Sequence, residues 1–198
     1  MADAPQVLYA LAWMTFGAGH SLLAGAGAKA LLRPLLGRGY RLAYNLFAGL
    51  HFALIAWVGA ALLGDRPAFV LPVAAKGGLL AIHLCGWAGL LWSMRYYDGA
   101  RFLGLTQLRH PERPEDEPLR RDGPHRCVRH PLYAFAFLVL WGAAVNPLGL
   151  ATAFWASLYL LIGSRLEERR LLALYGEDYV RYQRQVPAFV PWKGRCRS

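Results

Sequence analysis

The sequence predicts an all-α integral membrane protein with five transmembrane helices, the last two a tight helical hairpin, followed by a cytoplasmic C-terminal amphipathic helix. Three observations carry this expectation. The chain is 56% hydrophobic and only 17% charged over 198 residues, with a positive mean hydropathy of +0.26, too apolar for a soluble domain of this size. Its apolar runs recur near the ~20 residues that cross ~30 Å of hydrocarbon. Its 22 Lys and Arg residues are gathered into a few connections between those runs.

The first run is Val7 to Ala24, the second Leu42 to Leu63 and the third Leu79 to Met94. The first lacks a basic leader and a small-residue cleavage pattern, so it reads as a helix that stays in the membrane. Leu132 to Gly163 is a stretch of 32 residues interrupted by Asn146-Pro147-Leu148-Gly149. At ~1.5 Å per residue a single helix of that length overshoots the bilayer, whereas two arms of ~14 to 16 residues turning at Asn146-Pro147 fit it.

Charge sets the orientation. Lys29, Arg33, Arg38 and Arg41 separate the first two runs, eight arginines lie from Arg95 to Arg129, and eight Lys or Arg follow from Arg165. Only Arg66 and Lys76 fall between the second and third runs. The positive-inside rule then places the N-terminus and the hairpin tip outside and the C-terminus in the cytoplasm, with a cell inner membrane as the expected location. The chain reads as one membrane domain, 1–198: three spans over 1–94, a cytoplasmic loop over 95–131, the hairpin over 132–163 and a cytoplasmic segment over 164–198. Topology accounts for the net charge of +10, so the lipid bilayer is the expected partner and nucleic acid is not. Oligomeric state is not legible.

Cys85, Cys127 and Cys196 show no metal-ligand spacing, and Cys127 and Cys196 fall on the reducing side; neither a metal site nor a disulfide framework is expected. The proline-spaced acidic stretch Arg109 to Pro124 reads as an exposed loop.

Ionisable residues at the membrane boundary are costly and mark candidate sites. Arg129, His130 and Tyr133 surround Pro131, which suits the first turn of a helix, where the free N–H groups and positive dipole favour an anion. Arg126 and Arg129 could equally be headgroup anchors. Farther on, a helix running through Tyr182 would place Glu168, Leu172, Tyr175, Tyr179 and Tyr182 on one face, with Gly176 as a break or bend. An interfacial helix explains the tyrosines. A carboxylate among them is better placed to hold a polar or cationic ligand.

These residues carry a resemblance. "GPHRCVRHPLY" at Gly123 to Tyr133, an apolar hairpin, and "RLEERRLLALYGEDYVRYQRQVP" at Arg165 to Pro187 resemble the signature of the isoprenylcysteine carboxyl methyltransferase superfamily of integral-membrane methyltransferases. "GHSLLA" at Gly19 to Ala24 and "FLGLTQL" at Phe102 to Leu108 are similar to its methanethiol S-methyltransferase branch. The resemblance implies S-adenosylmethionine as methyl donor, bound on the cytoplasmic side under the C-terminal segment and contacted by Arg129, His130, Tyr133, Glu167 and Glu168, with Tyr179 and Tyr182 as lid or wall. Arg129 and His130 are also the candidate catalytic residues, favouring an acceptor anion. The implied acceptor is a small lipophilic thiol, with an isoprenoid or fatty carboxylate or a lipid amine as alternatives.

His125, Cys127 and Phe135 depart from the family pattern: relatives often carry tyrosines at the first two positions and a glycine at the third. Other readings stay open at this stage. The GxxYxxYxxxVP pattern also resembles NADPH-dependent sterol reductases. His20, His51 and His83, one in each of the first three runs, could ligate haem in an isomerase or regulator. A non-enzymatic scaffold is the third.

Overall fold

The computed structural model describes residues 3–110 and 118–193. The described residues form nine α-helices and no strand: α1 (Ala4–Ala24), α2 (Ala26–Leu36), α3 (Tyr40–Leu63), α4 (Val73–Met94), α5 (Gly99–Leu103), α6 (Leu105–Arg109), α7 (Pro131–Gly142), α8 (Pro147–Tyr175) and α9 (Glu177–Gln185). Four stretches are long and apolar enough to cross a membrane, namely Ala4–Ala24, Ala26–Leu63, Val73–Met94 and Pro147–Tyr175, and α7 is a shorter apolar helix. Large apolar side chains such as Leu50 and Trp57 lie on the outside, 73% and 67% exposed, as lipid-facing surfaces do. The protein is a multi-pass membrane protein.

The chain divides into two compact units, one drawn from Met1–Pro67 and Asp98–Asp116, the other from Ala68–Tyr97 and Glu117–Ser198. In the first, Asp3 caps α1 by accepting from the Gln6 amide at 3.2 Å, satisfying one of the unpaired N–H groups at the helix start. Tyr9, Trp13 and Phe16 then bury a ring stripe against α3, where Trp13 meets Phe52 edge-on at 6.2 Å. After Gly25, α2 carries Lys29 and Arg33 on one side and Leu31 and Leu35 on the other. The "FLG" stretch is held onto α3 by Asn45, whose amide donates to the Phe102 carbonyl at 2.9 Å. Gly104 sits at φ 94°, and a Cβ there would stand 2.7 Å from the Leu42 nitrogen, so this turn requires glycine.

In the second unit α4 and α7 pack backbone to backbone. A Cβ on Gly86 would lie 2.6 Å from the Val139 nitrogen, and one on Gly142 would lie 2.5 Å from the His83 nitrogen. Small residues at such a seam let membrane helices gain packing that the hydrophobic effect does not supply in lipid. Phe135 occupies the space in front of Gly89, so the glycine on α4 makes room for the ring. Trp141 donates to the Ser157 hydroxyl at 3.0 Å, tying α7 to α8.

Several expected boundaries shift. The third run begins at Val73, six residues before Leu79, because Pro72 starts the helix and Lys76 sits in its first turn. The Leu132 to Gly163 stretch does divide at Asn146, whose side chain caps α8 by accepting from the Gly149 amide at 2.7 Å. The arms are unequal, 12 and 29 residues, because nothing after Gly163 stops α8 before Gly176. The expected amphipathic C-terminal helix is thus two pieces, the end of α8 and α9, separated at Gly176 with φ 53°. The cysteine expectation also changes. Cys127 is disulfide-bonded and Cys85 is free and exposed, while Cys196 lies outside the described residues.

Candidate active site

All seven predicted site residues fall in the second unit. Gly123 opens the region at φ 52°, where a Cβ would collide with the Tyr96 ring, and a short 3-10 turn over Gly123–Arg126 delivers the chain to Arg129. Pro131 then starts α7, with His130 as its N-cap. Glu167 and Glu168 come from the last turns of α8, and Tyr179 and Tyr182 from α9.

The centre is a carboxylate shared by an arginine and a histidine. Arg129 Nε and Nη2 meet Glu168 Oε1 at 2.8 and 2.7 Å, and His130 Nε2 donates to the same oxygen at 3.0 Å. The side chains of Arg129 and Glu168 are 12% and 13% exposed, so the pair is largely withdrawn from solvent. Such a pair holds only if its remaining donors and acceptors are satisfied. They are: Gln183 donates to Glu168 Oε2 at 3.0 Å, and Arg129 Nη1 donates to the main-chain carbonyl of Val186 and, at 3.4 Å, to that of Gln183. The planar guanidinium therefore joins α8 to the end of α9.

His130 is buried and faces a second carboxylate, with Glu167 Oε2 3.5 Å from Nδ1. Burial pulls the His130 pKa down, but the hydrogen bonds and charges of Glu167 and Glu168 outweigh it and raise it above its ordinary value. The His130 ring is stacked on Tyr133, 5.4 Å between centroids and 6° from parallel, and meets Phe189 at 5.6 Å. Glu167 is half exposed, at 47%, and is the open edge of the cluster.

The structure brings Arg129, His130, Tyr133, Glu167 and Glu168 together directly. Tyr179 and Tyr182 lie behind them, buried against Leu119, Leu171, Leu172 and Tyr175. Tyr182 donates to the His125 carbonyl at 2.7 Å, and the Tyr97 hydroxyl pairs with His125 Nε2 at 3.0 Å. Burial raises the pKa of Tyr97, Tyr179 and Tyr182 and lowers that of His125. His125 and Tyr97 thus brace the wall.

Gln183, Phe189 and the carbonyls of Pro187 and Ala188 escaped the sequence reading. The amides of Arg129 and His130 donate to those two carbonyls at 2.8 and 3.0 Å. Gln183 is separated from Glu168 by the Gly176 break, so helical periodicity cannot pair them; the only signal was its position just before the Val-Pro of the C-terminal motif.

Of the three intramembrane histidines, His20 and His51 belong to the first unit and His83 to the second. His83 Nδ1 donates to the Val139 carbonyl at 2.8 Å and Nε2 accepts from Trp87 at 3.0 Å, which uses both ring nitrogens. Among the described residues no group of three or more His, Cys, Asp or Glu could hold a metal ion.

No family model matches the chain, and no solved structure matches it. It is 30% identical over 189 residues to a methanethiol S-methyltransferase of Crocosphaera subtropica, covering 91% of this chain and 72% of that protein. It is 30% identical over 160 residues to methanethiol S-methyltransferase 1 of Bradyrhizobium diazoefficiens, covering 77% and 55%, and 29% identical over 193 residues to that of Mycobacterium tuberculosis, covering 91% and 75%. Both halves of the chain take part in these alignments, the helices before the RHPxY motif as well as those after it. The chain belongs to the methanethiol S-methyltransferase family.

Proposed function

We propose that this membrane methyltransferase moves a methyl group from S-adenosylmethionine to a small lipophilic thiol, and that the cluster around Glu168 holds the donor. One observation supports the placement of the donor: an arginine, a histidine, two carboxylates and an aromatic stack converge where the RHPxY motif meets the end of α8.

The donor set suits the proposed group. Its amino-acid end carries both charges and its ribose carries hydroxyls, which match the half-exposed Glu167 carboxylate and the His130 imidazolium beside it. Its sulfonium suits the aromatic faces of Tyr133 and Phe189. When bound, S-adenosylmethionine supplies an electrophilic methyl group. The residues of this chain then bind and orient. Arg129 fixes the Val186 end of α9 against Glu168, His130 presents its ring beside the ligand, and Tyr179 with Tyr182 forms the wall. Arg129 and His130 are the candidate catalytic residues, and the water-excluding site aligns the acceptor sulfur with the methyl group.

The proposed topology has five crossings, N-terminus outside and C-terminus in the cytoplasm of a cell inner membrane, with α7 as the fourth. Twelve residues span only ~18 Å as a helix, so α7 completes its crossing with the turn residues before Asn146. The charge bias of the connections supports this orientation.

Calorimetry on the full chain in detergent tests the donor assignment. Saturable binding of S-adenosylmethionine or its demethylated product, weakened in Glu168→Ala, is the expected result. Binding of NADPH or haem with no response to either ligand would overturn it.

A further inference from the structure

α8 does not stop where its apolar segment stops. It runs unbroken from Pro147 to Tyr175, so the face that its first half turns to lipid continues into its charged second half. Phe154, Leu158 and Ile162 are exposed along that face. Steps of four, three and four residues carry the same face from Leu158 through Ile162 and Arg165 to Arg169, and both arginines are exposed.

Depth along the helix agrees with direction around it. At ~1.5 Å per residue, Arg165 lies about 4.5 Å and Arg169 about 10.5 Å beyond Ile162 along the axis. The polar headgroup layer adds about 5 to 8 Å on each side of the hydrocarbon, so the two guanidiniums bracket the level of the lipid phosphates. Adjacent turns also bring both side chains within reach of one anion, and without an anion the two like charges repel. Glu168 is the one carboxylate a helical turn away from either arginine. It is turned elsewhere: Arg129 and His130 take its Oε1 and Gln183 its Oε2.

We propose that Arg165 and Arg169 form a docking site for an anionic phospholipid, with the phosphate of one headgroup held between the two guanidiniums and its acyl chains lying along Ile162, Leu158 and Phe154. The apolar stripe supplies contact for the chains. The arginines supply charge and forked N–H donors that suit phosphate oxygens better than an ammonium does. A zwitterionic lipid fits less well, because its choline brings a further cation to a place that already holds two. The site does not depend on which donor or acceptor the enzyme takes.

Native mass spectrometry of the full chain in neutral detergent, titrated with dioleoyl phosphatidylglycerol or dioleoyl phosphatidylcholine, tests this. Phosphatidylglycerol should be retained at least about tenfold more tightly than phosphatidylcholine. The preference should vanish when Arg165→Gln and Arg169→Gln are combined and survive, weakened, when Arg165→Lys and Arg169→Lys are combined. It should be unchanged in Arg184→Gln, which removes an exposed arginine of α9 away from this face. Millimolar glycerol 3-phosphate should not displace the lipid, because it brings no acyl chains to the stripe. Equal retention of the two lipids by the wild type would overturn the site without recourse to any variant. So would a preference that persists in the double Gln variant, an equal loss in Arg184→Gln, or displacement by glycerol 3-phosphate, which would make the pair a site for free phosphate esters instead.

Discussion

Arg129 and Glu168, 39 residues apart in the chain, meet through two guanidinium nitrogens on one carboxylate oxygen, at 2.8 and 2.7 Å. The remaining guanidinium nitrogen reaches main-chain carbonyls at the end of α9, so one residue fixes the geometry of three elements. A pair withdrawn from solvent in this way costs more to break from one side than to remove whole.

Glu168→Ala strands both Arg129 and His130 without their shared anion. The expected loss is about 3 kcal/mol of stability, the scale for one-sided removal of a buried partner, together with weakened donor binding. Arg129→Ala should instead lower turnover even at saturating donor. Detergent melting curves and steady-state kinetics on the two variants check this, and identical kinetic profiles would contradict the division of roles.

Gln183→Leu removes the hydrogen bond that fixes the second oxygen of Glu168. A hydrogen bond to a charged group contributes about 1.5 to 3 kcal/mol. The variant should fold, melt earlier and bind donor more weakly, whereas Gln183→Glu should be worse than Gln183→Leu because it sets a second negative charge against Glu168. Equal melting temperatures for the two would contradict this.

His130 and His125 respond to pH with opposite signs. The folded-state pKa of His130 is raised, so its contribution to stability is complete below the unfolded value of about 6.5 and is lost as pH climbs through the folded one. Burial lowers the pKa of His125, so its contribution is complete above about 6.5 and falls away as pH drops towards the folded value. Melting temperature against pH should flatten on the alkaline side in His130→Gln and on the acid side in His125→Gln.

Gly142→Ala should disrupt the α4–α7 seam, because the new methyl would stand 2.5 Å from the His83 nitrogen and flexible side-chain motion cannot relieve a clash with backbone. Overpacking of this kind costs about 1 to 3 kcal/mol or more. Gly163→Ala, where a Cβ meets nothing within 4 Å, is the control expected to leave the melting temperature unchanged.

Orientation is open to labelling. A cysteine at Leu150, near the α7–α8 turn, should react with an impermeant maleimide on intact cells in a Cys85→Ser background. Protection until the cells are lysed would reverse the proposed topology.

Much of the site was legible because its members lie in two compact motifs. Arg129, His130 and Tyr133 occupy one stretch and Glu167 and Glu168 another, and their chemistry announces an ionic cluster before any fold is known. The membrane helices were legible from hydropathy, but their ends were not. The run of apolar residues in α8 hides the fact that the same helix continues through Arg165 to Tyr175, since helices stop where a cap or a break stops them rather than where polarity changes. Gln183 and Phe189 were illegible for a related reason: each contact crosses a break in periodicity. Phe135 read as a departure from pattern, and only the glycine opposite it on α4 shows how the bulk is absorbed.

The two main-chain bonds from Arg129 and His130 to Pro187 and Ala188 make the segment after α9 a short zipper on the RHPxY motif. These bonds join main-chain groups, and the Arg129 guanidinium on the Val186 carbonyl and the His130 ring against Phe189 add side-chain contacts to the same segment. Opening it breaks both bonds together and frees two amides to exchange with solvent. The hydrogen-exchange rates of the Arg129 and His130 amides therefore set a lower bound on how often this segment opens, because exchange cannot outrun opening.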